Sequence, residues 1–180
     1  VFLRQSIKTW MEANEDLDNA RNPSCILKNL YESFNNTNFK DEVYIVLMYA
    51  VYNFRTMELT YASAGLNVAP LLVKASGDVS SLEVNGFPIC KFKEFYSVDY
   101  ENETIKLEKG DRLLFYTDGL VETRNRLGDI YSEERLVTVL EENVGKPADD
   151  ISSAITDDVF SFIGNQEIQD DITFFIMEVK

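Results

Sequence analysis

Two amphipathic helix patterns stand in tandem before the first strand-like segment, and that order constrains the fold more than any single motif. Phe2, Leu3, Ile7, Trp10 and Met11 share one helical face over residues 2–16. Asn22-Pro23-Ser24 then supplies a cap and a first-turn proline for a second helix with the stripe Ile26, Leu27, Leu30, Tyr31 and Phe34. The middle of the chain is β-like. Residues 42–53 are rich in Val, Ile, Tyr and Met, and the break at 53–57 leads into 58–63, which predicts a hairpin. Further strands are predicted over 70–74, 79–84, 95–100 and 104–107, and a turn at Lys109-Gly110-Asp111 enters an apolar strand over 112–117 that stops at Asp118-Gly119. Ser132 to Leu136 resembles a capped helix start, 147–163 predicts another helix, and 172–179 a closing strand. Helices grouped ahead of many strands place helices on sheet faces rather than in alternating βαβ units. The expected fold is one compact α+β domain over residues 1–180, without internal repeats or linkers. Val1 falls in mid-pattern, so the sequence reads as a piece of a longer gene product.

Charge and composition then remove functions. Lys and Arg total 17 against 31 Asp and Glu, a formal charge of −14, which repels phosphate backbones and anionic lipid. Nucleic acid and membrane contact are therefore not expected. The longest apolar run, 43–52, is about half of the roughly 20 residues a spanning helix needs, and a cytoplasmic location is expected. Cys25 and Cys90 lack metal or disulfide spacing. With no histidine, the chain builds neither a Ser-His-Asp triad nor a histidine metal cage, and its eight glycines form no nucleotide cradle.

Carboxylate chemistry remains, as an acid/base pair or as oxygen ligands for a hard cation. Asp149-Asp150 and Asp157-Asp158 share a predicted helix whose apolar face is Ile151, Ile155, Val159, Phe162 and Ile163, which assigns them to solvent. Asp118 instead ends an apolar strand and precedes a glycine that permits a sharp turn, and Asp170-Asp171 precedes another apolar strand. If these strands are antiparallel neighbours, the carboxylates meet at one sheet edge, where a cation or a shared proton must relieve their repulsion. An ordinary turn and a strand-leading polar pair would leave the same spacing.

The segments Ala62-Ser-Ala-Gly-Leu-Asn67, Leu107-Glu-Lys-Gly-Asp-Arg-Leu-Leu-Phe-Tyr-Thr-Asp-Gly-Leu-Val-Glu122 and Asp170-Asp-Ile-Thr173 resemble, in order and spacing, the SpoIIE/RsbU branch of the metal-dependent protein serine/threonine phosphatases. The resemblance implies an αββα sandwich of largely antiparallel sheets flanked by helices, missing its first strands here. It implies a dinuclear Mn²⁺ or Mg²⁺ site with Asp118 and Asp170 as catalytic metal ligands and Asp171 as a neighbouring or second-choice ligand. It further implies a phosphorylated protein substrate such as an anti-anti-sigma factor, and an upstream sensor or regulatory domain. Two departures stand out. The Asp-bearing Gly-Asp-Phe/Tyr-Tyr-Asp type motif of the family does not occur in these residues, so weak or no activity is expected of this segment alone, and Leu66 stands where relatives carry histidine. An unpaired sheet edge left by a missing strand would favour a homodimer. Two alternatives stay open: an interaction or signal-relay module of the same fold, and a hydrolase using Asp118 with Asp170 or Asp171 as an acid/base pair.

Overall fold

The computed structural model describes residues 1–91 and 98–180, which fall into two compact units, Val1–Leu66 with Glu83–Leu107 and Asn67–Leu82 with Glu108–Lys180. The first unit opens with three helices, α1 (Phe2–Ala13), α2 (Leu17–Ala20) and α3 (Pro23–Asn35). α3 starts where the cap signal predicts it: the Asn22 side chain accepts from Cys25 N at 3.3 Å, ahead of Pro23. Its stripe of Ile26, Leu27, Leu30, Tyr31 and Phe34 is buried against Ala62 and Ala64, whose small side chains let a helix approach a sheet closely. Phe2, Leu3, Ile7 and Trp10 of α1 add to this core, but α1 ends at Ala13 rather than 16 and Met11 is exposed.

The sheet of this unit has the order β1-β2-β5, from β1 (Leu47–Asn53), β2 (Glu58–Ala64) and β5 (Glu103–Lys106), all antiparallel. β1 and β2 form the predicted hairpin, with Asn53 opposite Glu58. The strand expected from 42 starts only at Leu47, because Ile45 finds a single bridge partner in Ile89. Of the strand expected over 95–100, residues 95–97 lie outside the described residues. The remainder is not strand, and buried Tyr100 donates its hydroxyl to Phe87 O at 3.1 Å.

The second unit carries a four-stranded antiparallel sheet, β4-β3-β6-β7, from β3 (Leu71–Val73), β4 (Val79–Ser81), β6 (Arg112–Tyr116) and β7 (Phe174–Glu178). Leu71, Leu114 and Ile176 are in register across three strands, and this row packs with α5 (Glu133–Glu142) and α6 (Ala148–Ile163). Ile151, Ile155, Val159 and Ile163 form the buried stripe of α6, as their spacing predicts. Ser132 precedes α5 at φ 71° and makes no side-chain cap bond, so the expected cap is absent. Asp158 corrects another expectation. Arg135 Nε and Nη2 bind its two oxygens at 2.7 and 2.8 Å and the Tyr131 hydroxyl donates to it at 2.7 Å, which joins α5 to α6; Asp149, Asp150 and Asp157 are exposed as expected. The Arg135 bond first, and then the Tyr131 bond, hold the Asp158 carboxyl below its ordinary range despite partial burial. No helix among the described residues is long and apolar enough to cross a membrane.

Candidate metal centre

β6 and β7 are antiparallel neighbours, with Tyr116 opposite Phe174 as the last pair, so the end of one strand and the approach to the other share an edge. Thr117 extends the ladder. Its N–H donates to Thr173 O at 2.9 Å, Thr173 N donates back to the Thr117 hydroxyl at 3.1 Å, and that hydroxyl donates to Asp171 O at 3.0 Å. One threonine thereby ties the segment before β7 to the residue before Asp118. Tyr116 secures the same strand end by donating to Glu133 of α5 at 2.8 Å. Burial first, and then the Glu133 bond and charge, raise its phenol pKa, so it stays protonated.

Asp118 does not sit in a glycine turn as expected. It opens a one-turn helix, α4 (Asp118–Val121), and Gly119 does not take a positive φ. The glycine is required for space instead. A Cβ on Gly119 would stand 2.6 Å from Asp171 O and 3.4 Å from Asp170 Cβ. This close passage brings Asp170 to the turn that carries Asp118.

Asp118 Oδ1 accepts from Gly119 N at 3.0 Å and Oδ2 from Asn67 Nδ2 at 2.7 Å, while Asp170 Oδ1 accepts from Asp171 N at 2.7 Å. Each carboxylate oxygen has two lone pairs, so these bonds orient the groups and leave acceptor capacity for a cation. Asp171 serves the edge through its backbone, donating N–H to Asp170 and accepting from Thr117. Asn67 is the residue that strand-end reasoning missed. It closes the Ala62–Asn67 motif, 51 residues from its partner, and only that motif signals it.

The donor chemistry fits one hard cation. Mg²⁺ sites commonly use one or two carboxylates and complete their octahedron with water and substrate oxygen. Among the described residues, no three His, Cys, Asp or Glu side chains group closely enough to hold a metal together. Beside Asp170 lie a polar cavity of about 290 Å³, and one of about 680 Å³ lined in part by Val159, Phe160, Ile168 and Ile172.

A family profile described as stage II sporulation protein E (SpoIIE) matches residues 1–180. The phosphoserine phosphatase RsbU of Bacillus subtilis (strain 168) is 27% identical over 158 residues, covering 88% of this chain and 45% of that protein. The chain thus spans less than half the length of this curated relative. Its fold is similar to the SiaA-PP2C domain of Pseudomonas aeruginosa, with a TM-score of 0.80 at 18% identity over 99% of this chain and 68% of that one. It is also similar to the manganese-presoaked phosphatase domain of SpoIIE from Bacillus subtilis, with a TM-score of 0.62 at 15% identity over 98% of this chain and 71% of that one. The α+β class with antiparallel sheets, expected from the sequence, is the fold shared with these phosphatase domains.

Proposed function

Because the chain belongs to the stage II sporulation protein E family, we propose that the protein carrying it is a metal-dependent phosphatase that hydrolyses phosphoserine or phosphothreonine on a regulatory protein. One observation carries this: the Thr117 link and the Gly119 passage set Asp118 and Asp170 at one sheet edge. Asp118 and Asp170 would hold Mg²⁺ or Mn²⁺, with Asp171 as the alternative ligand and Asn67 orienting Asp118. A bound cation would supply an acidified water and offset phosphate charge. In the overall reaction, water oxygen bonds to phosphorus, the bond to the serine or threonine oxygen breaks, and that oxygen takes the proton. A second cation requires the family's Asp-bearing motif, absent from these residues. The kind of substrate is a phosphorylated anti-anti-sigma-like protein, with a sensor domain as regulator and the cytoplasm as the place of action; residues 1–180 act as part of one phosphatase domain.

A second reading is a partner-binding module of the same fold, in which Asp118 and Asp170 hold no metal; among the described residues no three His, Cys, Asp or Glu side chains form a ligand group. Calorimetric titration of this chain with Mn²⁺, beside phosphate release from a phosphoserine protein by the longer natural protein, separates the two. Binding of one ion that is lost in Asp118→Asn, with chelator-sensitive hydrolysis in the longer protein, is expected. A longer protein that is inert yet still binds its partner would establish the module.

A further inference from the structure

α4 runs directly into a short hairpin. Arg124 bridges Ile130, Tyr131 N donates to Thr123 O at 2.9 Å, and Ser132 N to Val121 O at 2.9 Å. At its tip the Asn125 side chain accepts from Leu127 N at 2.9 Å and Asp129 N at 3.0 Å, an Asx turn that fixes the loop. Arg124 Nη1 donates across the hairpin to Gly128 O at 2.9 Å. The backbone of Arg124 is therefore held by a ladder and its side chain is anchored at one nitrogen.

Arg124 lines the cavity of about 290 Å³ together with Gly119, Glu122, Thr123, Gln169 and Asp170. Two carboxylates share that cavity, yet among the described residues the ion pairs within 4.0 Å involve Lys8, Lys28, Lys74, Arg112 and Arg135, and Arg124 joins neither of its neighbours. A guanidinium carries five N–H donors in a fixed fork that matches two oxygens of a phosphate. The chain as a whole carries −14, which repels a phosphomonoester dianion, so a cation at the cavity counters that repulsion where the ester must arrive.

We propose that Arg124 is the residue of this chain that grips the phosphate group of the substrate, a phosphoserine or phosphothreonine monoester, beside Asp170. This rests on the phosphatase reading and adds a binding role that the metal ligands do not supply. Lysine at this position would keep the charge but lose the fork.

The test uses this chain with Mg²⁺ present and inorganic phosphate as the probe. The Arg124 side-chain Nε resonance should move saturably with phosphate, and phosphate affinity should fall about tenfold in Arg124→Ala, the scale of one charge-assisted contact, with partial recovery in Arg124→Lys. Mg²⁺ affinity, measured by calorimetry, should not change in either variant. An unmoved Nε resonance at saturating phosphate, or an Ala variant that binds phosphate as tightly as the parent, overturns the assignment. The longer natural protein, assayed on p-nitrophenyl phosphate, keeps the two ideas apart. Hydrolysis with KM unchanged in Arg124→Ala removes Arg124 and leaves the phosphatase. Phosphate binding at Arg124 without any hydrolysis removes the phosphatase and leaves a phosphate-binding residue.

Discussion

Asn67 is tied by its bond to Asp118 to the consecutive pair Asp118-Gly119, although it lies 51 residues earlier in the chain. Gly119→Ala places a methyl group 2.6 Å from the Asp171 carbonyl oxygen, so either α4 or the 170–171 segment must shift. A cost of about 1–3 kcal/mol in urea unfolding is expected from such overpacking, together with weakened Mn²⁺ binding in calorimetry. Asn67→Ala should behave differently. Asn67 is exposed, so stability should change little, while loss of the 2.7 Å bond to Asp118 should lower Mn²⁺ affinity about 10- to 100-fold. The strand-end positions of Asp118 and Asp170 were legible because strand ends are read from local patterning. Asn67 was not, because its partner is fixed by the pairing of distant strands. Asp158 was misread for a related reason: helical periodicity put it off the apolar stripe, but Arg135 of α5 and Tyr131 just before that helix reach it through helix packing that no local pattern encodes.

Apart from residues 98–100, which form no strand, and the short helices α2 and α4, which no pattern announced, elements followed their patterns in kind and departed from them in length. The strand expected over 79–84 stops at Ser81 because its partner β3 spans only Leu71–Val73. Leu82 N still donates to Pro70 O at 2.8 Å, but Pro70 has no N–H to donate in return, so the ladder ends there. Helix boundaries were more legible where capping chemistry was local, as at Asn22-Pro23, and less so at α5, where Ser132 lies at φ 71°. The junction between α5 and α6 rests on Arg135, whose guanidinium carbon stands 5.4 Å from the Tyr131 ring centre and 5.0 Å from that of Phe162 while the group binds Asp158. Arg135 is partly exposed, which reduces its worth through solvent screening, so Arg135→Ala should cost about 1 kcal/mol in urea unfolding. Arg135→Lys should recover less than half of that, since it loses both the bidentate pair and the stacking.

At the scale of the whole molecule, the sequence pattern announced antiparallel sheet without saying which strand joins which sheet. Residues 67–82 and 83–107 belong to different units, and that exchange depends on pairings that no local period encodes. Global stability against pH provides a test of what sets the turn into β6. The Asp111 side chain is 1% exposed and accepts from Lys74 Nζ at 2.8 Å, Ala75 N at 2.9 Å and Glu108 N at 2.9 Å. Burial by itself would raise its pKa, but the Lys74 bond and then the two backbone bonds outweigh burial and lower it. A carboxyl with a lowered folded pKa contributes fully above its unfolded value, about 3.9, and loses that contribution as pH falls through the lower folded value. Acid also relieves the self-repulsion of a chain at −14, so the parent's own profile mixes two opposing trends. Comparison with Asp111→Asn separates them, because relief of net charge acts on both proteins. The variant should be less stable by about 1–3 kcal/mol at pH 7, from weakened bonds around a buried site. That gap should hold down to about pH 4 and narrow below it as Asp111 itself is protonated. Urea unfolding of both proteins from about pH 7 to about pH 2.5 measures the gap directly. A gap that stays constant over the whole range would mean that the Asp111 charge contributes nothing and that shape and neutral hydrogen bonds alone hold the turn.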